Sequence, residues 1–206
     1  MAERKQPARG PETESTVSGA NWDGRDISGE EHTRVAFVDC DFTEVTNTGA
    51  VFTECTFRNV KFNASRHVDS AFVNCRFSGC NLFDVTFNEC KLVGTAFERC
   101  SFDLLKVVGG NWSFVGLLRA DLRNATFSGT RLRDAELTSA RCQGSSLRDV
   151  DLAGASMGGA DFTDCDLRGS DLSTIEPEQV QLRGAIVTAQ QAVTIAVALG
   201  LDVHAE

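Results

Sequence analysis

Large apolar residues recur along this chain every five positions. The central positions 37, 42, 47 and onward to 172 number 28; Phe or Leu fills 22 of them, and Asn47, His67, Val107, Trp112, Cys142 and Met157 fill the rest. The positions two residues earlier, from Val35 to Ser170, hold only Cys, Ala, Val, Ser, Thr and Gly, apart from Leu105. Residues flanking the central ones are mixed and mostly polar, as with Asp41, Thr43, Lys61 and Asn63, and are expected to face water. An amphipathic helix repeats at i, i+3, i+4 and i+7, and a half-buried strand alternates with period two. One large and one small inward position per five residues fits neither. It predicts a chain that turns a corner every five residues and stacks its turns as coils, each burying its apolar side against its neighbours. The frame extends back to Trp22 and Ile27 and forward through Leu182 and Val187.

Blocks such as Ala71-Phe72-Val73-Asn74-Cys75, Ala96-Phe97-Glu98-Arg99-Cys100 and Ala120-Asp121-Leu122-Arg123-Asn124 resemble the pentapeptide-repeat family over roughly residues 22 to 187. The resemblance implies an all-β solenoid, a right-handed quadrilateral β-helix with four pentapeptides to each twenty-residue coil. Such a coil would stack Phe42 under Phe62 and Leu82, and Phe52 under Phe72 and Leu92. It would also place Asn47 next to His67, where each satisfies the other's buried polar atoms. Coils spaced by ~4.8 Å make some eight turns a rod on the order of 40 Å long.

The two ends differ from the rod. Residues 1–20 are polar, with Arg4, Lys5, Arg9 and two prolines, and read as a disordered tail before a solenoid spanning 21–187. Residues 188–206 read as a helix and tail. Thr188-Ala189-Gln190-Gln191 has the form of a capping box, and Gly200 with Leu201 forms a stop near Leu199. Gln190, Gln191 and Thr194 share a polar face. Ala192, Val193, Ile195, Ala196, Val197 and Leu199 spread over roughly 200° of the remainder. A helix that only capped the rod needs a stripe nearer ~100°, so these six are expected to form a homodimer interface.

Composition narrows the chemistry. The chain has 206 residues, 42% hydrophobic, yet no apolar run near the ~18 residues a bilayer span requires and no secretory signal at its start, so a cytoplasmic protein without a membrane partner is expected. Seven of eight cysteines occupy the small inward position and Cys142 the large one, with no C-x-x-C pair; they are expected to be free, buried thiols acting as small hydrophobes. Three histidines, no tyrosine, no phosphate-cradling loop and no nucleophile motif point away from an enzyme, a cofactor or a metal site.

Charge changes the picture more. Between residues 149 and 178 stand Asp149, Asp151, Asp161, Asp164, Asp166, Asp171, Glu176 and Glu178 against Arg168 alone, whereas 104–148 carry an excess of arginine. Asp151 and Asp171, twenty apart, are expected to stack and repel. An acidic segment steers basic partners, and the formal charge of −9 argues against direct binding of nucleic acid.

The rod, the segments Ser65-Arg66-His67 and Ser70-Ala71-Phe72, the stretch Asn88-Glu89-Cys90-Lys91-Leu92-Val93-Gly94, and the terminal Gln191-Ala192-Val193 and Ala198-Leu199-Gly200-Leu201 together resemble the gyrase-interacting MfpA and Qnr subfamily, nearest its mycobacterial MfpA branch. That resemblance implies a DNA mimic that binds DNA gyrase through the acidic residues and confers fluoroquinolone tolerance. The unbroken frame lacks the projecting loops of the Qnr type, and the link from Thr174 to Gln181 looks slightly longer than the pattern. The rival reading is a scaffold that binds some other protein, its acids serving solubility.

Overall fold

The computed structural model describes residues 10–204. Its strands pair in parallel, and every pairing advances the chain by twenty residues, from Ser15↔Val35 through Phe57↔Phe77 to the isolated bridge Asp166↔Ile186. Four pentapeptides therefore close one coil, and the fold is a parallel quadrilateral β-solenoid followed by one helix. We number its faces in chain order by their inward residues. Face 1 carries Phe37, Phe57 and Phe77; face 2, Phe42, Phe62 and Leu82; face 3, Asn47, His67 and Phe87; face 4, Phe52, Phe72 and Leu92. Face 1 holds a five-stranded sheet, face 3 a six-stranded one and face 4 a three-stranded one. Face 2 is joined only by isolated bridges such as Asp41↔Lys61.

Each pentapeptide makes the same local choices. The central residue is buried at every position from 37 to 172. The residue two places after it adopts a positive φ at nearly every corner, which is why Gly, Asn and Asp are frequent there (Gly49 at 74°, Asn59 at 54°, Asp69 at 48°). Where Asp or Asn precedes the central residue, its carboxyl or amide oxygen accepts the backbone N–H two residues on, as Asp41 does from Thr43 and Asp171 from Ser173. The small inward residue has a polar duty too. Ser70 Oγ donates to the Val68 carbonyl, and Cys40 Sγ approaches the Val38 carbonyl at 3.4 Å. Cysteine, serine and threonine are thus near-equivalents at this position: each is small and carries a donor for a corner carbonyl. All eight thiols are free, and burial pushes that of Cys90 up to about 11.

Aromatic rings stack at the coil spacing. Phe37, Phe57, Phe77 and Phe97 follow one another at 5.1, 4.5 and 4.7 Å between centroids. On face 3 the two polar exceptions pair as expected: Asn47 Nδ2 donates to His67 Nδ1 at 3.0 Å, and His67 Nε2 lies 3.0 Å from Ser65 Oγ. Asn47 Oδ1 accepts from Ala50 N and shares the Ser70 hydroxyl proton with the Val68 carbonyl. Complete burial depresses His67 to about 3, so it is neutral at physiological pH.

The disordered-tail reading fails over its second half. Ser15–Ser18 form a strand that pairs with Val35–Val38, because Val17 lies twenty residues before Phe37 and Ser15 occupies the small position. Residues 10–14 also lie against the rod; residues 1–9 fall outside the described residues. At the other end no residue is inserted. Pro177–Gln179 bulge as a single 3₁₀ turn that shifts the Gly159 N–H by one residue to the Gln179 carbonyl, and the register is regained where Asp161 bridges Gln181.

Candidate functional site: an acidic belt beside the terminal helix

The eight acids of 149–178 do not form one patch. Thirty residues make one and a half coils at twenty residues each, so they wrap the rod. Asp161 lies on face 2, with Asp164 at its exit corner. Asp166 lies on face 3, with Asp149 at its exit corner. Asp151 and Asp171 lie on face 4, and Glu176 and Glu178 on face 1. The sequence cluster is a belt in space.

Part of the belt is neutralised by arginines of the coil below and of the same coil. Arg133 Nε contacts Asp151 at 2.6 Å, while Arg168 and Arg148 reach Asp166 at 2.7 and 3.8 Å. Asp151 and Asp171 are consecutive in their column, and Arg133 stands near enough to attract both, which moderates the expected repulsion. Asp149, Asp164, Asp171, Glu176 and Glu178 make no ion pair among the described residues. The hydrogen bond from Arg168 brings Asp166 down to about 2. Asp161 and Asp171 are lowered first by their bonds from Thr163 and Ser173. Those same bonds tie Asp161, Asp166 and Asp171 into the turns, whereas Asp164, Glu176 and Glu178 are exposed.

Above the belt stands α1, Ala189–Ala198, opened by the expected capping box: Gln191 N donates to Thr188 Oγ1, and Thr188 N to Gln191 Oε1. Its end is a Schellman motif, with Leu201 N bonded to the Ala196 carbonyl, Gly200 N to Val197, and Gly200 at φ 80°. Gln191 departs from the expected polar outer face. It is buried, and its Nε2 donates to the Leu167 and Ser170 carbonyls at 2.7 and 2.8 Å, so the cap residue also fastens the helix to the last coil. Ile195, beside it, packs against the core. The expected apolar interface is therefore split. Ile195 faces the rod and Ala196 is half-buried, while Ala192, Val193 (45% exposed), Val197 (57%) and Leu199 point away from it, joined by Leu201.

Sequence reasoning missed one surface. Phe114 and Leu118, 60% and 54% exposed, occupy outward positions of the frame, and Leu118 lines a groove on face 1. The signal was available, since the frame itself assigns those two positions to solvent. Among the described residues no group of three or more metal-ligating side chains gathers, and no helix is long and apolar enough to cross a membrane.

Family models for a pentapeptide repeat region and for pentapeptide repeats match residues 80–157 and 145–174. No curated protein sequence matches the chain. Among solved structures, that of a trypsin-treated variant of QnrB1, a plasmid-mediated fluoroquinolone resistance protein, superposes with a TM-score of 0.63 at 18% identity, covering 94% of this chain and 97% of its own. HetL from the cyanobacterium Nostoc, involved in heterocyst differentiation regulation, gives 0.50 at 16% identity over 84% and 86%. Both likenesses are of fold.

Proposed function

We propose that this pentapeptide-repeat protein is a DNA-mimicking ligand of DNA gyrase that competes with DNA for the enzyme, giving fluoroquinolone tolerance or modulating gyrase activity in the manner of the MfpA and Qnr proteins. The observation that carries the reading is the belt. DNA presents its charge all round a rod, about one per 1.7 Å of axis, and a basic saddle that grips a duplex meets charge from several sides. Carboxylates on all four faces of a rod answer that geometry better than a flat acidic patch. The exposed stripe of Val193, Val197, Leu199 and Leu201 supports a homodimer through α1, since a two-fold axis there would set two belts side by side. The fold shared with a fluoroquinolone resistance protein is consistent with this role.

Supercoiling by purified gyrase, titrated with the protein, tests the proposal. A variant carrying Asp161→Asn, Asp166→Asn and Asp171→Asn keeps the turn-bonding oxygens; Asp164→Lys, Glu176→Lys and Glu178→Lys reverse the exposed acids that make no ion pair among the described residues. It is expected to fold and to lose inhibition. Undiminished inhibition by the folded variant would sink the electrostatic reading. Val197→Asp is expected to halve the mass seen by light scattering, and an unchanged mass would remove α1 as the interface. An adaptor holding another protein is the second reading, favoured by the solenoid shared with HetL; failure to capture gyrase subunits in a pull-down would favour it.

A further inference from the structure

The two ends of the rod are closed differently. At the upper end α1 is fastened to the last coil through Gln191 and the Leu167 and Ser170 carbonyls. At the lower end the chain enters from the side: residues 10–14 run along the outside of face 1, and Gly10 lies beside Arg76, three coils above the first. In the second coil, Asp41 N, Thr46 N and Val51 N donate to the Ala20, Arg25 and Glu30 carbonyls beneath them. The equivalent N–H groups of Asn21, Asp26 and Glu31 belong to the first coil and have no coil beneath them, so this end is an open β edge.

The bore above that edge is aromatic, but its mouth is charged. Arg25 and Glu30 take the small inward positions of faces 3 and 4, where the next coil holds Val45 and Ala50. Trp22 stacks on Phe42 at 4.5 Å, and the guanidinium carbon of Arg25 lies over the same indole, 4.7 Å from its centroid. Phe42 fills the upper face of that ring, so the guanidinium sits on the lower one, at the end of the rod. Arg25 Nη2 bonds Glu30 Oε1 at 2.7 Å, and Glu30 Oε2 lies 2.9 Å from His32 Nε2. His32 in turn stacks under Phe52 at 5.0 Å. One carboxylate thus links a cation under the face 2 column to an imidazole in the face 4 column, across the mouth of the bore.

We propose that Arg25, Glu30 and His32 form a plug that keeps this end from joining the same end of a second copy. Without it the rod ends in Val17 and Trp22, only partly buried by the core, inside a ring of open N–H groups. That surface is shaped to continue the stack, and the same end of another copy, open in the same way, is the partner that fits it. With the plug in place, joining would strip water from a guanidinium and a carboxylate. The proposal stands apart from gyrase binding and from the α1 interface.

The test uses the full chain carrying Val197→Asp, so that association through α1 does not enter. Adding Arg25→Met with Glu30→Met is expected to double the mass seen by sedimentation, at equal concentration and with unchanged circular dichroism. Arg25→Glu with Glu30→Arg keeps the charge at the mouth and is expected to leave the mass as it was. Glu44→Met with Arg58→Met makes the same two changes on the exposed outside of the rod and is expected to do the same. No gain in mass by the folded plug variant, or an equal gain by either control, would overturn the proposal. Glu30→Gln, which keeps the shape and removes only the charge, covers the case in which methionine at the mouth prevents folding. Its mass is expected to rise with concentration, and a constant mass would overturn the proposal as well.

Discussion

The two halves of the rod solve the same five-residue problem with different side chains. Up to Phe127 the inward columns are largely aromatic, with rings stacked coil on coil, and strands extend on three faces. Beyond Phe127 the core is mostly leucine and alanine, Phe162 is its one aromatic, and Ser146–Arg148 is the last strand, with pairing carried by isolated bridges. The outward positions change about one coil later, from an excess of arginine to the acidic belt that begins at Asp149. The aromatic half specifies register through shape, since a ring sits flat on its neighbour at only one coil offset. The leucine half is freed from that duty and carries the charge and helix on which the proposed function rests.

The sharpest way to break this comparison is to remove a ring. Phe57 stacks on Phe37 and Phe77, and Phe57→Ala is expected to cost about 3–5 kcal/mol in urea unfolding, more than Leu147→Ala in the other half. An equal or smaller loss would mean that ring stacking adds nothing to plain burial. A smaller effect concerns pH. The unfolded chain protonates His67 near 6.5 and the folded chain only near 3, so the stability it lends is complete above pH 6.5 and falls by up to about 1.4 kcal/mol per unit as the pH drops towards 3. Between pH 7 and 5, Asn47→Leu with His67→Phe is expected to flatten the slope; a slope unchanged by that pair would place the titrating group elsewhere.

At the far end, Thr188→Ala removes one bond of the capping box and is expected to cost α1 about 0.5–2 kcal/mol, read as lost helical ellipticity with the solenoid intact. Least of all, Arg133→Ala breaks an exposed ion pair and is expected to change stability by less than about 1 kcal/mol. A larger loss there would show the belt to be structural rather than free charge.

Much of this was legible in the sequence because the solenoid is so local. Position in the frame sets burial, and counting in twenties places Asn47 against His67. What escaped had specific causes. The first strand lies in a polar stretch where Val17 is the sole large apolar inward residue, too weak a period to see before the frame is known. The acids of 149–178 are close in sequence, but a twenty-residue coil scatters neighbours around the rod. Gln191 reads as a solvent-facing amide until the carbonyls of Leu167 and Ser170, left open at the end of the last coil, give it a reason to turn inward.

The central claim is competition for the DNA-binding surface of gyrase, and displacement of a fluorescent duplex from the purified enzyme tests it most directly. The protein is expected to release the duplex in proportion to its own binding, and the belt variant to leave it bound. A complex in which gyrase holds the duplex and this protein together would contradict the account.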